Sequence, residues 1–288
     1  MTRIADIEAH IGNMTELREI VGAMRSLAGM RVRRTQQMLP GIRGYADAME
    51  KGIGTALLLV PETTTLRTTE RGNRAVVLFT AEHGFVGGFN ERLLDTAATA
   101  LVQGDRLFVL GTRGFVAAEE RGLATTWTHP MATRPEAAAE TTRRLTNELY
   151  RGIASGEITR VEVTFARHSQ AREMTIERRR VFPVDLSAFA AERERQPPLH
   201  NIPAGRLLER LITDYVFALL TEAAVESLTS ENAARFAAMQ SAHDNISDKL
   251  EVLHKEARQA RQAEVTAELL DLATGAEAQS PSHAGELR

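Results

Sequence analysis

The apolar positions near both ends of the chain repeat with a helical period. Ile4, Ile7, Ile11, Met14, Leu17, Ile20, Met24 and Leu27 lie three and four apart, the seam spacing of a coiled coil. The pattern resumes with Tyr45, Met49, Ile53 and Leu57 and stops at Pro61; Pro40, Gly41 and Gly44 are expected to kink or briefly break the helix. The closing segment is longer. Leu207, Leu208, Leu211, Ile212, Tyr215, Val216, Leu219 and Leu220 begin a stripe that thins to Leu228, Phe236, Met239, Ile246, Leu250 and Leu253, and then to Val265, Leu269 and Leu272. No proline interrupts it from Ala204 to Ser280. About 70 residues at ~1.5 Å each predict a rod on the order of 100 Å long. Charges throughout exclude a membrane span, so the stripe needs a partner helix. The two terminal helices can supply each other if the middle of the chain lets it turn back, which predicts an antiparallel pair.

The middle section changes period. Ala75 to Thr80 is a continuous apolar run of the buried parallel-strand kind. A glycine-rich turn, Gly84 to Gly88, and a helix over about Asn90 to Val102 follow. Further strands are expected at Leu107 to Leu110, Thr125 to His129, Thr159 to Arg167 and Met174 to Val184. Helices are expected at Phe115 to Arg121 and Pro135 to Ala154. The last two strands are joined at hairpin length by His168 to Arg172. Strand alternating with helix predicts an α/β, Rossmann-like domain with a mostly parallel sheet. The expected division is therefore a shaft helix over 1–60, a central α/β domain with linkers over 61–203, a second shaft helix over 204–275 and a frayed tail over 276–288.

Composition narrows the chemistry. The 288 residues are 43% apolar and 25% charged with net charge −3, which gives no case for nucleic-acid binding. Aromatics are 5%, which suits long helices better than a thick core. The absence of cysteine rules out disulfides and thiolate metal sites. The first 30 residues hold no continuous apolar core, so no signal peptide is expected. The eight histidines are scattered without metal-ligand spacing, and no metal is expected. Gly84, Gly87 and Gly88 lie between a strand and a helix, where a phosphate loop would sit, but their spacing fits neither G-x-G-x-x-G nor a P-loop. A tight strand-to-helix turn is the simpler account. No nucleophile or acid–base pair is placed by a motif, and no cofactor is expected. Arg25, Arg31, Arg33 and Arg34 form a basic cluster, read either as a solvated face or as a dock for an acidic surface.

Three stretches together carry a family resemblance. They are Ile7 to Gln37 with its Ala23-Met24 pair, Phe79 to Leu94 with Gly84, Gly87, Gly88 and Asn90, and Ser230 to Asn245 with Arg261 to Ala276. In order and spacing they resemble the gamma subunit of F-type ATP synthases. The sequence departs from that family at Val86, at Ala81-Glu-His-Gly84 and at Arg258. The resemblance implies a rotor shaft, with the terminal helices inside a ring of three alpha and three beta subunits. It implies that the α/β domain sits at the foot, against the epsilon subunit and the c-subunit ring, on the cytoplasmic face of a bacterial membrane. Bond chemistry would belong to the alpha–beta interfaces. Met24 and Arg235 match positions that meet an acidic loop of beta; Gln262 and Thr266 match positions that hydrogen-bond a loop higher on the shaft. The competing reading is a stand-alone nucleotide-binding α/β protein with a dimerising coiled coil.

Overall fold

Strand β1 (Asn73–Phe79) is apolar at every central position because it is covered on both faces. In the computed structural model, Ala75, Val77 and Phe79 enter one core cluster, and Val76 and Leu78 enter another. The chain is described over residues 2–60, 73–169, 172–192 and 199–279. Much of the linker sequence expected at the two ends of 61–203 falls outside these residues, as does the end of the tail, 280–288.

The sheet has the order β3-β2-β1-β4-β5. Helix α2 (Phe89–Ala98), β2 (Arg106–Leu110), α3 (Thr112–Glu120) and β3 (Thr125–His129) wind to one side of β1 in parallel register, with Val77 opposite Phe108. A 3₁₀ turn at Pro135–Ala137 opens α4 (Ala138–Ala154), which returns the chain to the other side of β1. There β4 (Ile158–Ser169) pairs parallel with β1, and β5 (Arg172–Phe182) pairs antiparallel with β4. Leu94, Ala97 and Ala118 of α2 and α3 cover one face. Leu145 and Leu149 of α4 cover the other, together with Val216, Leu220, Ala223, Ala224 and Leu228 of a long closing helix, α5 (Ala204–Gln279). The reversal of strand order at β1 leaves the glycine turn at the carboxyl end of the sheet, where α/β folds build their sites.

Helix α1 runs from Thr2 to Leu57 without a break, through Pro40. The expected interruption fails because Pro40, Gly41 and Gly44 are exposed, while Leu39, Ile42 and Ala46 on the opposite side stay packed. The hydrogen bond that Pro40 removes is lost toward solvent. Helix α5 likewise passes Gly275 and reaches Gln279.

Contacts divide the chain into two compact units, Met1–Met24 with Met239–Arg288, and Arg25–Ala238. In the first, Glu8 pairs with Arg261 at 2.5 Å, and a Cβ on Gly22 would stand 3.8 Å from the His243 ring. As the α1 number climbs the α5 number falls, so the two helices are antiparallel. In the second, Gly29 lies against Phe236 and Gly52 against Leu211, again antiparallel.

The seam differs from the expected one. Ile4, Ile7, Ile11 and Met14 are withdrawn from solvent, but the next inward positions are Arg18 and Val21, not Leu17 and Ile20. Leu17 and Ile20 are 44% and 58% exposed. Within the second unit Ala28 and Ala46 are buried, while Leu27 and Tyr45 are exposed. Three consecutive three-residue steps from Ile11 to Ile20 would swing the stripe around the helix; a steady alternation of four and three keeps it facing its partner. Arg18 is half-buried there, a position that a long arginine stem tolerates because it can pack while the charge stays in water.

Candidate functional site

From Leu220 to Asn232 every residue of α5 is buried. The helix is enclosed there, so its polar side chains must find partners within the protein. Some bond back to their own helix, as Thr229 does to the Val225 carbonyl at 2.7 Å and Ser230 to that of Glu226 at 3.0 Å. Others reach the sheet. Ser227 Oγ donates to the carbonyl of Phe79, the last residue of β1, at 2.6 Å.

One turn further along α5, Arg235 grips the glycine turn. Its guanidinium donates to the His83 carbonyl at 3.2 Å, the Gly84 carbonyl at 3.4 Å, Asn232 Oδ1 at 3.3 Å and Glu231 Oε1 at 2.6 Å. Arg235 is 7% exposed. The residue matched by resemblance to a beta-subunit contact is thus engaged inside its own chain. Gly84 and Gly87 lie in this turn, with Gly87 at φ +54°, and Gly88 precedes α2. Below them Asn90 Oδ1 accepts from the Ala81 amide at 2.9 Å.

Glu82 closes the other side. Its carboxylate accepts from the Thr112 amide at 3.0 Å, the Thr112 hydroxyl at 2.7 Å and the Met131 amide at 2.8 Å. Burial works to raise the Glu82 carboxyl, and these hydrogen bonds overcome it, leaving its pKa below the ordinary value. The amino end of α3, where a bound phosphate would sit in a nucleotide-binding relative, is filled by the chain's own carboxylate. The turn itself aims carbonyls, not amides, at Arg235. Both features favour a structural turn over a phosphate cradle.

Glu231 is desolvated, which pushes its carboxyl up to about 7 although the Arg235 charge pulls it down. A folded-state value above the ordinary 4.5 means that the folded protein holds a proton the unfolded chain releases. The corresponding stability is full below about pH 4.5 and is lost as pH rises to about 7, a decline of roughly 3 kcal/mol. Glu82 and Glu222, both lowered, act with the opposite sign: their stability is present above pH 4.5 and lost in more acid solution. Urea midpoints across pH 4.5–7 should fall in the wild type and stay flatter in Glu231→Gln. Equal slopes would show that Glu231 does not titrate there.

A second polar cluster joins α1, α5 and the β4–β5 hairpin. Glu222 accepts from Arg43 at 2.9 Å and Arg179 at 2.7 Å; Glu226 pairs with Arg43 and lies 3.5 Å from Arg167. Arg167 and Arg179 also stand 5.9 Å and 5.3 Å from the Phe165 ring centre, within cation–π range. Burial raises the Glu222 carboxyl less than its two arginines lower it, whereas burial prevails at Glu226 and raises it.

The other residues matched by resemblance lie in the first unit. Met24 is half-buried. Gln262 and Thr266 are exposed, and the Thr266 hydroxyl donates to the Gln262 carbonyl at 2.8 Å. Val265 between them and Leu269, Leu270 and Leu272 beyond them are 49–71% exposed. Of the basic cluster, Arg34 pairs with Glu136 at 2.5 Å and Arg33 is exposed. Sequence reasoning missed Ser227, Glu231 and Glu82. The four-residue spacing of Glu231 and Arg235 was a usable signal for an ion pair on one helix face.

A family model described as ATP synthase matches residues 3–279, and the chain belongs to that family. The ATP synthase gamma chain of Thermobifida fusca is 27% identical over 96% of both chains. That of Anaeromyxobacter dehalogenans (strain 2CP-C) is 28% identical over 96% of this chain and 100% of its own. In fold, the chain is similar to one in the mitochondrial ATP synthase of Euglena gracilis, a structure of OSCP, F1 and c-ring, with TM-score 0.66, 14% identity and coverage of 100% and 99%. Both of these curated relatives are gamma chains. Among the described residues no helix is long and apolar enough to cross a membrane.

Proposed function

We propose that this chain is the rotating shaft of its synthase and couples ion flow through a c-subunit ring to ATP synthesis or hydrolysis at the interfaces of three alpha and three beta subunits. The observation that carries the reading is the match over residues 3–279, which takes in both long helices and the domain between them. Physical features support it. An enclosed helix welded to a sheet by Ser227, Arg235 and the Glu222–Glu226 cluster is suited to transmit torque. Val265, Leu269, Leu270 and Leu272 offer apolar surface to a surrounding sleeve. A partner's conformational equilibrium shifts only through contacts that differ between its states, and an asymmetric shaft supplies different contacts at each angle.

In this reading Met24, Gln262 and Thr266 touch the catalytic ring directly, and the α/β domain meets epsilon and the c ring on the cytoplasmic face of the membrane. The chain itself performs no bond chemistry and takes no cofactor. Co-expression with its cognate alpha and beta chains should give a complex of three alpha, three beta and one of this chain. ATP hydrolysis by that complex should require it. If the chain instead runs alone as a stable oligomer with saturable nucleotide affinity, the shaft reading is wrong.

A further inference from the structure

The bonds that Arg235 makes are unequal. A single nitrogen, Nη2, donates to Glu231 Oε1 at 2.6 Å and to the His83 carbonyl at 3.2 Å, while Nε reaches the Gly84 carbonyl at 3.4 Å. The short bond lies toward the carboxylate and the long ones toward the turn. A charged acceptor attracts a guanidinium more strongly than a neutral carbonyl does, so Glu231 competes with the turn for the same group. The turn has need of that hold. Phe85, next after Gly84, sits at φ +61°, a left-handed conformation that is unfavourable for a bulky residue, and is 68% exposed.

We propose that Glu231 and Arg235 form a proton-operated latch: a proton on Glu231 yields the guanidinium to the His83 and Gly84 carbonyls and closes the glycine turn, and loss of that proton draws the guanidinium back and loosens the turn. The proton comes from solvent when the turn opens, and no other covalent bond changes. Burial is the largest influence on Glu231 and pushes its carboxyl up to about 7; an open turn admits water and returns it toward 4.5. A group raised in the closed state favours closure in acid solution, and that preference is lost as pH rises to about 7. The direction agrees with the bond lengths. The charges facing Glu231 come from several elements. Arg235 of α5 and Arg31 of α1 favour its ionised form, and Glu82 opposes it. Glu82 is itself held below its ordinary value and stays charged while Glu231 titrates. Arg113 of α3 stands beside Gly84, its Nε 3.9 Å from where a Cβ would lie. His83 is exposed, and Arg235 holds its backbone carbonyl, not its ring. Every group in the latch belongs to this chain, so the inference does not depend on the shaft reading.

The test is amide hydrogen exchange over residues 82–90 of the full-length chain at pH 6 and pH 8, each corrected for the intrinsic chemical rate. Protection of the turn in the wild type should be about five- to tenfold higher at pH 6; tenfold is the limit set by a carboxyl that moves between about 7 and 4.5. Glu231→Gln, a neutral isostere of the protonated acid, should give the same high protection at both pH values. Arg235→Lys keeps the positive charge but loses the planar fork. It should leave the turn poorly protected at both, while the infrared carbonyl band of a buried protonated carboxyl, present at pH 6 and absent from Glu231→Gln, persists. His83→Gln should keep the wild-type ratio. Equal protection at both pH values in the wild type, or a wild-type ratio in Glu231→Gln, overturns the latch. So does a wild-type ratio in Arg235→Lys, which would mean that the proton acts on the turn by some route other than the guanidinium.

Discussion

Gly114→Ala should destabilise the α/β domain by at least ~3 kcal/mol, lowering Tm by about 5–10 °C. Helix propensity predicts the reverse, a gain of roughly 1 kcal/mol for alanine over glycine inside α3. Packing decides the sign. A Cβ on Gly114 would lie 1.9 Å from Thr80 Oγ1 and 2.2 Å from Thr80 Cβ. Thr80 has no freedom to retreat: it is 1% exposed and its hydroxyl donates to the Leu110 carbonyl at 2.6 Å. Gly111, at φ +111°, makes the same close approach, with a would-be Cβ 2.5 Å from the Thr80 carbonyl. The control is Gly12→Ala, where nothing lies within 4 Å. It should follow propensity and stabilise α1 slightly. Pairing Gly114→Ala with Thr80→Gly should recover part of the loss. A thermal melt of Gly114→Ala at or above the wild-type Tm would mean that α3 does not rest on the end of β1.

The second large effect is expected at Glu231. Above neutral pH, Glu231→Ala removes the counter-charge of a guanidinium whose side chain is 8% exposed, and should cost about 3–5 kcal/mol there. Arg235→Ala should cost less in mildly acid solution. The carboxyl left behind can take up a proton and become neutral, whereas a guanidinium cannot shed one at accessible pH. Above neutral pH the two variants should converge. Urea denaturation at pH 5.5 and pH 8 separates them, and equal losses at both values would show that the pair carries no titrating group.

Most elements of the central domain were legible because β1, β2 and β4 carry apolar runs and the helices their own stripes; β3, with Trp127 its one large apolar residue, falls at Thr125–His129 as expected. The sheet's parallel character followed from β1, which has no polar face to show solvent. The coiled-coil register was not legible. Leu17 and Ile20 are as apolar as the residues that do pack, and only the partner helix decides which stripe is inside. Pro40 reads as a kink or break by local sequence alone, but the packing of Leu39 and Ala46 prevails. The grip of Arg235 on the Gly84 turn joins residues about 150 apart in sequence, beyond any local pattern. Its i,i+4 partner Glu231 was within reach of one. The exposure of Phe85 could not be read at all, since nothing in Gly84-Phe-Val-Gly distinguishes the outward aromatic from the inward valine.

The enclosure of α5 has a consequence for how the protein is made. The face of the sheet bounded by Val77, Phe79 and Phe165 is completed by Leu220, Ala224 and Leu228, which leave the ribosome after every strand. Roughly 50 residues separate the end of β5 at Phe182 from Asn232. At ~5–20 residues per second, that apolar face of the nascent sheet is covered only in part, by α4, for roughly 3–10 s. During that interval the chain is an unfinished sandwich whose last slice is still being synthesised, and a chaperone that shields extended apolar surface has its natural point of entry there.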